Sequence, residues 1–251
     1  MPRFAVILPA AGRSSRFRDD YYKKPFVPLE GRPVWLHTAE KFANRADVKQ
    51  TLIVIAADDL ENFQTKYGGN AALLGIEIVP GGKERYDSVA AALARVKPDI
   101  GYVAVHDAAR PCVAPEWIDA VFAAAAKTGA AILATPMTGT LKRAANSQKD
   151  RSPVIAETIS RENLWEAQTP QVFARQLLLD AYARRGAEQA TDDAQLVERL
   201  GQEVTIVPCS PMNLKITTKE DLRLAAAILK LLPKPKLAGA SHPFADDQLW
   251  R

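Results

Sequence analysis

Short, continuous apolar runs alternating with helical patterns constrain the fold of this chain more than any other feature. The runs at residues 4–8, 51–56, 76–80, 101–105, 130–136 and 203–207 are dominated by Val, Ile, Leu and Ala, and most lack a polar alternate face. Strands of this kind are buried on both sides, the condition of a parallel sheet sandwiched between helices. Helical spacing fills the intervals at 33–43, 59–67, 84–96, 115–127, 175–184, 192–200 and 219–231. Pro33 and Pro115 stand where proline is tolerated, in a first helical turn. Thr218 and Asp221 form a capping box with a shortened acid. The alternation predicts an α/β fold: a Rossmann-like, doubly wound, mostly parallel sheet. At 251 residues the chain is long enough for one large domain with a substantial core, expected over 1–232.

One segment departs from the rhythm. Residues 137–167 are polar and alternate about a turn, which reads as a β-hairpin arm, since so long a stretch without structure of its own is uncommon in a compact domain. An extended arm needs a surface to pack on, and a second copy of the chain is the natural one, so a homodimer is expected. The tail, 233–251, opens Pro-Lys-Pro-Lys and reads as a poorly ordered terminus.

The chemistry is concentrated where strands end. After the run at 4–8 come Ala10, Ala11 and Gly12, which let backbone approach a ligand closely, then Arg13, Arg16 and, further on, Lys24. Backbone N–H groups with fixed cations suit a polyphosphate. The loop matches neither the three-glycine dinucleotide fingerprint nor the Gly-Lys-Ser/Thr phosphate loop. Gly81 and Gly82 follow a second strand and open a helix carrying Asp87 and Ser88, where Ser88 could meet a base edge or ribose; a plain glycine turn with an acid near the helix dipole explains the same residues. His106-Asp107-Ala108-Ala109-Arg110 ends a third strand, the edge at which open α/β sheets bind ligands. Asp107 there is expected to take a hydrated Mg²⁺, and Arg110 to offer a planar fork to an anion. His106 reads as a structural strand-end residue. Lys215 interrupts a short apolar stretch and either faces an anion or snorkels to water. Thr191 is a natural N-cap, and Asp192 and Asp193 read as helix-dipole partners.

Bulk properties narrow the function further. A formal charge of +4 suits a small anionic substrate, and the basic residues form no stripe interleaved with aromatics, so nucleic acid is not expected as a partner. Two widely separated cysteines, Cys112 and Cys209, read as reduced thiols without metal-ligand spacing. The N-terminal apolar run ends in a basic loop and not in a small-residue cleavage site, and no stretch is apolar enough to span a bilayer. A cytoplasmic protein without a membrane partner is expected.

The opening loop resembles the start of the sugar-phosphate nucleotidyltransferases. Taken with the ordered stretches at 81–89, 105–111, 139–143, 159–173, 190–194 and 213–217, the chain resembles the 2-C-methyl-D-erythritol 4-phosphate cytidylyltransferase family over nearly its whole length. The resemblance implies transfer of CMP from CTP to methylerythritol phosphate with release of pyrophosphate, with Mg²⁺, in non-mevalonate isoprenoid biosynthesis. It assigns catalysis to Arg16, Lys24 and Lys215. It assigns CTP to Ala10, Ala11, Gly12, Gly82 and Ser88, and methylerythritol phosphate to Arg110, Thr140, Arg161 and Thr191, with Thr140 and Arg161 supplied by the arm of the other subunit. Departures from the family pattern stand at Lys23-Lys24-Pro25, at Lys83 and at Met212; Pro25 should hold Lys24 in extended backbone. The alternatives are a cytidylyltransferase for ribitol or glycerol phosphate, which a substrate panel separates, and a nucleotide-binding regulatory protein without turnover. The joint presence of Arg16, Lys24, Asp107 and Lys215 argues for turnover.

Overall fold

A computed structural model of the chain describes residues 1–12, 24–145, 152–186 and 190–232. Its elements run in order β1 (Phe4–Pro9), β2 (Pro28–Leu29), β3 (Arg32–Pro33), α1 (Val34–Ala43), β4 (Val48–Ala56), α2 (Leu60–Leu73), β5 (Ile76–Gly81), α3 (Arg85–Leu93), β6 (Tyr102–Val105), α4 (Pro115–Thr128), β7 (Ala130–Pro136), β8 (Leu141–Ala144), β9 (Ile155–Ile159), β10 (Trp165–Ala174), α5 (Arg175–Ala183), α6 (Asp193–Glu198), β11 (Thr205–Pro208) and α7 (Lys219–Leu231). Seven strands form one sheet in the order β11-β7-β10-β6-β1-β4-β5. Six run parallel and β10 alone opposes its neighbours β6 and β7.

The expected double winding is present. Along β1, Val6 and Leu8 pack on one face with Trp35, Phe42 and Phe63 of α1 and α2 and Ile118 and Phe122 of α4. Ala5 and Ile7 face the other way, toward Val89 and Leu93 of α3 and Leu178, Tyr182 and Val197 of α5 and α6. Burial on both faces is what a continuous apolar strand requires. A third, smaller cluster docks α7, through Ala225, on Val34, Cys112 and Ile216.

Local signals held at the starts of α4 and α7, whereas Pro33, expected in the first turn of α1, lies just before it in extended backbone. Pro115 opens α4, and Gly129 at φ 87° closes it and turns directly into β7. Thr218 Oγ1 accepts from the Asp221 N–H while Asp221 accepts from Thr218, a complete capping box. Elsewhere the structure differs from expectation. The second helix continues beyond residue 67 through Gly68 and Gly69 and stops where Gly75 adopts φ 63°. Lys24 opens a 3-10 turn, Lys24–Phe26, and does not lie in extended chain; Phe26 packs on Phe63 and Tyr67, and tertiary contact overrides the preference of a residue before proline.

The largest difference is β10. Residues 165–167, expected to end the arm, pair with 134–136 and begin a central strand. Pro170 and three polar neighbours hide that strand from an apolar-run reading, because proline removes a ladder donor and is rare in central strands. The ladder to β7 skips from Ala167 to Gln171, so Pro170 falls in the break. The arm proper is therefore β8 and β9, antiparallel to each other and separate from the main sheet. The tail and residues 146–151 lie outside the described residues.

Candidate active site

The C-terminal ends of β1, β5 and β6 bring the predicted loops together. At the end of β1 the Ala10 N–H bonds to the carbonyl of Val54. Gly81 lies so close to Ala11, Ser88 and Val54 that a Cβ on it would fall 2.8 Å from the Ala11 methyl carbon. Gly82 is tighter still, with Asp87 Cβ 2.4 Å from the position a Cβ would take. Ala11, Gly81, Gly82 and Ser88 thus form one close-packed seam because two of them are glycine. Gly12 is exposed, with open space around its Cα. Ser88 is buried, and its hydroxyl donates to the Glu84 carbonyl one turn back.

The loop after β6 is pinned from three sides. Its Asp107 N–H donates to Thr169 Oγ1 on β10, Thr38 of α1 donates to the Ala108 carbonyl, and the Ile216 N–H bonds to the Ala109 carbonyl. His106 is fully buried; one ring nitrogen meets Thr169 and the other the Arg110 carbonyl. Burial pushes its pKa down to about 4, so the ring is neutral and structural, as expected.

Asp107 is the hub. Lys215 Nζ lies 2.8 Å from its Oδ2, Arg110 Nε 3.3 Å from the same oxygen, and Arg85 Nε 3.9 Å from Oδ1. Burial alone would raise its pKa, but Lys215, Arg85 and Arg110 overcome that and hold the carboxyl well below the usual range. Lys215 keeps 40% of its side chain exposed, so its ammonium is held in place and still faces outward. Arg110 is buried, with one guanidinium nitrogen on the Asn213 carbonyl at 2.7 Å.

This donor set does not suit a metal. A dication at Asp107 would sit among three cationic groups within 4 Å and compete with Lys215 for the same oxygen. No group of three or more His, Cys, Asp or Glu side chains among the described residues is placed to hold an ion. The expectation that Asp107 binds Mg²⁺ gives way to a role as anchor for cations. Met212 packs in the apolar cluster around α7.

Thr191 does not cap α6. Asp192 does, accepting from the Gln195 N–H, while the exposed Thr191 donates its own N–H to the Gln195 side chain. Asp193 is not a surface dipole partner. It is buried, paired to Arg85 Nη2 at 2.7 Å and bonded to the Tyr182 hydroxyl. A small cavity of about 100 Å³ lies against Arg85, Tyr182, Thr191 and Asp193.

Thr140 and Arg161 are exposed on the arm; Arg161 bonds to the Thr138 carbonyl, and among the described residues the arm strands pair only with each other. Arg16 and the Lys24 side chain lie outside the described residues. Arg85, Tyr182 and Gln171 were assigned no role from sequence. Arg85 left one signal: a cation in the first turn of α3 faces the positive end of the helix dipole, so it needs an anionic partner.

A close-packed glycine and alanine seam beside a carboxylate that aligns cations, at the C-terminal edge of a doubly wound sheet, defines a phosphate-handling nucleotide site. The comparisons with known proteins make this particular. The family model described as 2-C-methyl-D-erythritol 4-phosphate cytidylyltransferase matches residues 4–231. A relative of that name from Rhodopirellula baltica is 44% identical over 236 residues, covering 90% of this chain and 94% of its own length. One from Pelotomaculum thermopropionicum is 41% identical, covering 92% and 95%. The crystal structure of the Thermus thermophilus cytidylyltransferase superimposes with a TM-score of 0.73 at 32% identity, covering 92% of this chain and all of that one. The chain belongs to the 2-C-methyl-D-erythritol 4-phosphate cytidylyltransferase family.

Proposed function

We propose that this protein transfers CMP from CTP to 2-C-methyl-D-erythritol 4-phosphate and releases pyrophosphate, serving isoprenoid biosynthesis. The observation that carries the reading within the family is Lys215, partly exposed yet pinned by Asp107, the carboxylate that Arg85 at the start of α3 and Arg110 also meet. The substrate's phosphate monoester is already a nucleophile near neutral pH, so attack on the α-phosphorus needs no general base. Alignment and charge stabilisation then carry the catalysis. Lys215, joined by Arg16 and Lys24, neutralises charge developing on the triphosphate. Ala10, Ala11, Gly12, Gly82 and Ser88 hold cytosine and ribose, largely by backbone.

Arg110 and Thr191 receive the alcohol phosphate, completed by Thr140 and Arg161 of a second subunit's arm. The exposed Val154, Ile155 and Trp165 at the arm and its base support such a dimer. Magnesium is assigned to no protein ligand and belongs to the proposal only as a companion of the nucleotide's phosphates. A cytoplasmic setting fits two free thiols, and no described helix is long and apolar enough to cross a membrane. Pyrophosphate release with CTP and Mg²⁺ against methylerythritol, ribitol and glycerol phosphates tests the reading. Release with methylerythritol phosphate alone is expected; release only with another alcohol phosphate would overturn the substrate, and CTP binding without release would overturn the enzyme.

A further inference from the structure

Arg85 takes part in none of the substrate contacts assigned above, yet it touches two of the site's carboxylates. It is the first residue of α3, the helix that begins at the glycine seam. Its Nη2 reaches Asp193 Oδ2 at 2.7 Å, while Nε faces Asp107 Oδ1 at 3.9 Å. The anchor end is rigid. The Asp193 side chain is 1% exposed, and Tyr182 donates to its other oxygen. Gln171 of β10 accepts the N–H groups of Asp193 and Ala194 and donates to Asp192 at 2.7 Å. The working end is directional. With Oδ1 turned to a guanidinium, the carboxylate plane of Asp107 presents Oδ2 to Lys215 Nζ at 2.8 Å and to Arg110 Nε at 3.3 Å. Arg110 in turn holds the carbonyl of Asn213, two residues before Lys215. Side chain and backbone of the Lys215 segment are therefore both referred to one carboxylate whose orientation Arg85 sets.

We propose that Arg85 is a positioning residue for Lys215, acting through Asp107 and anchored by Asp193. This rests on the transfer reading above. It also explains why arginine stands at this place. A guanidinium can offer separate nitrogens to two carboxylates on different elements, whereas a lysine carries a single ammonium that cannot occupy both ends. With the bridge cut, Asp107 is free to turn, and Lys215 follows it away from the position the reacting phosphate requires. Such an effect falls on turnover and leaves the nucleotide seam untouched.

The experiment begins with wild-type pyrophosphate release from CTP and methylerythritol phosphate, which decides the transfer reading by itself. Arg85→Lys, Asp193→Asn and the double variant are then measured, with kcat expressed per CTP-binding site counted by calorimetry. Each single variant is expected to lower kcat about 10- to 100-fold with KM for CTP within about twofold, as loss of a supporting partner does elsewhere. The double variant should be about as slow as the slower single one, because both break the same link. Structural damage alone would lower the number of CTP-binding sites and leave kcat per site unchanged. Retention of kcat per site within about fivefold in either single variant, or losses that multiply in the double, would overturn the proposal. If these variants do not fold, Tyr182→Phe removes a single hydroxyl from the anchor. A fall in kcat of about threefold is then expected, and an unchanged kcat counts against the relay.

Discussion

The loop after β6 and the arm of β8 and β9 are both polar, and both carry residues assigned to the alcohol phosphate, but they are held in opposite ways. Asp107 and Arg110 are buried, and their loop is tied to α1 at Ala108, to β10 and to the Lys215 segment. Thr140 and Arg161 are exposed, and among the described residues β8 and β9 bond as strands only to one another. A buried, mutually compensated charge array needs no other molecule to be ordered, whereas an exposed two-stranded ribbon is marginal until something covers it. The difference teaches that one chain orders its own charge centre, whereas the arm, proposed above as a wall of a second subunit's site, gains no such order from the main sheet.

The largest effect should come from breaking the centre. Asp107→Asn leaves Lys215 and Arg110 facing one another without their shared carboxylate, and a denaturant midpoint at neutral pH should show a loss of about 3 kcal/mol. Since the folded-state pKa of Asp107 is depressed, its contribution is present above the unfolded value near 3.8 and lost as pH falls through the folded one. The gap between wild type and variant should therefore close in acid; a gap that persists unchanged below that value would refute the ion-pair account. Next, Lys215→Ala should lower kcat at least about 100-fold with CTP affinity little changed, and wild-type turnover would remove Lys215 from the chemistry.

The wall responds differently. Arg161→Ala should lower activity about 10-fold without altering the thermal midpoint, since its side chain meets only an exposed carbonyl. Mixing that variant with Lys215→Ala should restore about a quarter of wild-type activity by forming one sound site per mixed dimer. No restoration would mean that each chain uses its own arm. The smallest effect belongs to a control outside both regions. Thr218→Ala removes the cap of α7 and should cost about 1 kcal/mol in stability with kcat unchanged. A parallel fall in kcat would show that α7 sets the Lys215 segment.

Much of this was legible in residue order. The apolar runs placed six strands, the glycines marked the close seam, and Asp107 and Lys215 stood out as charges at strand ends or in apolar company. Helix ends were readable where one side chain decides them, as at Pro115 and Thr218. The strand β10 was not legible, because Pro170 and its polar neighbours contradict the pattern of a central strand and only the partners β6 and β7 make it one.

The sequence by itself determined the alternation of elements, the doubly wound class and the kinds of group available to meet a nucleotide, because those depend on periodicity and side-chain chemistry along a few residues. Tertiary structure alone decided what each charge does. Arg85 and Asp193 are 108 positions apart, and Lys215 is as far from Asp107. Whether a carboxylate takes a metal, caps a helix or aligns a lysine follows from which cations packing brings within 4 Å of it, since electrostatic energies at buried sites change steeply with distance and solvent exposure.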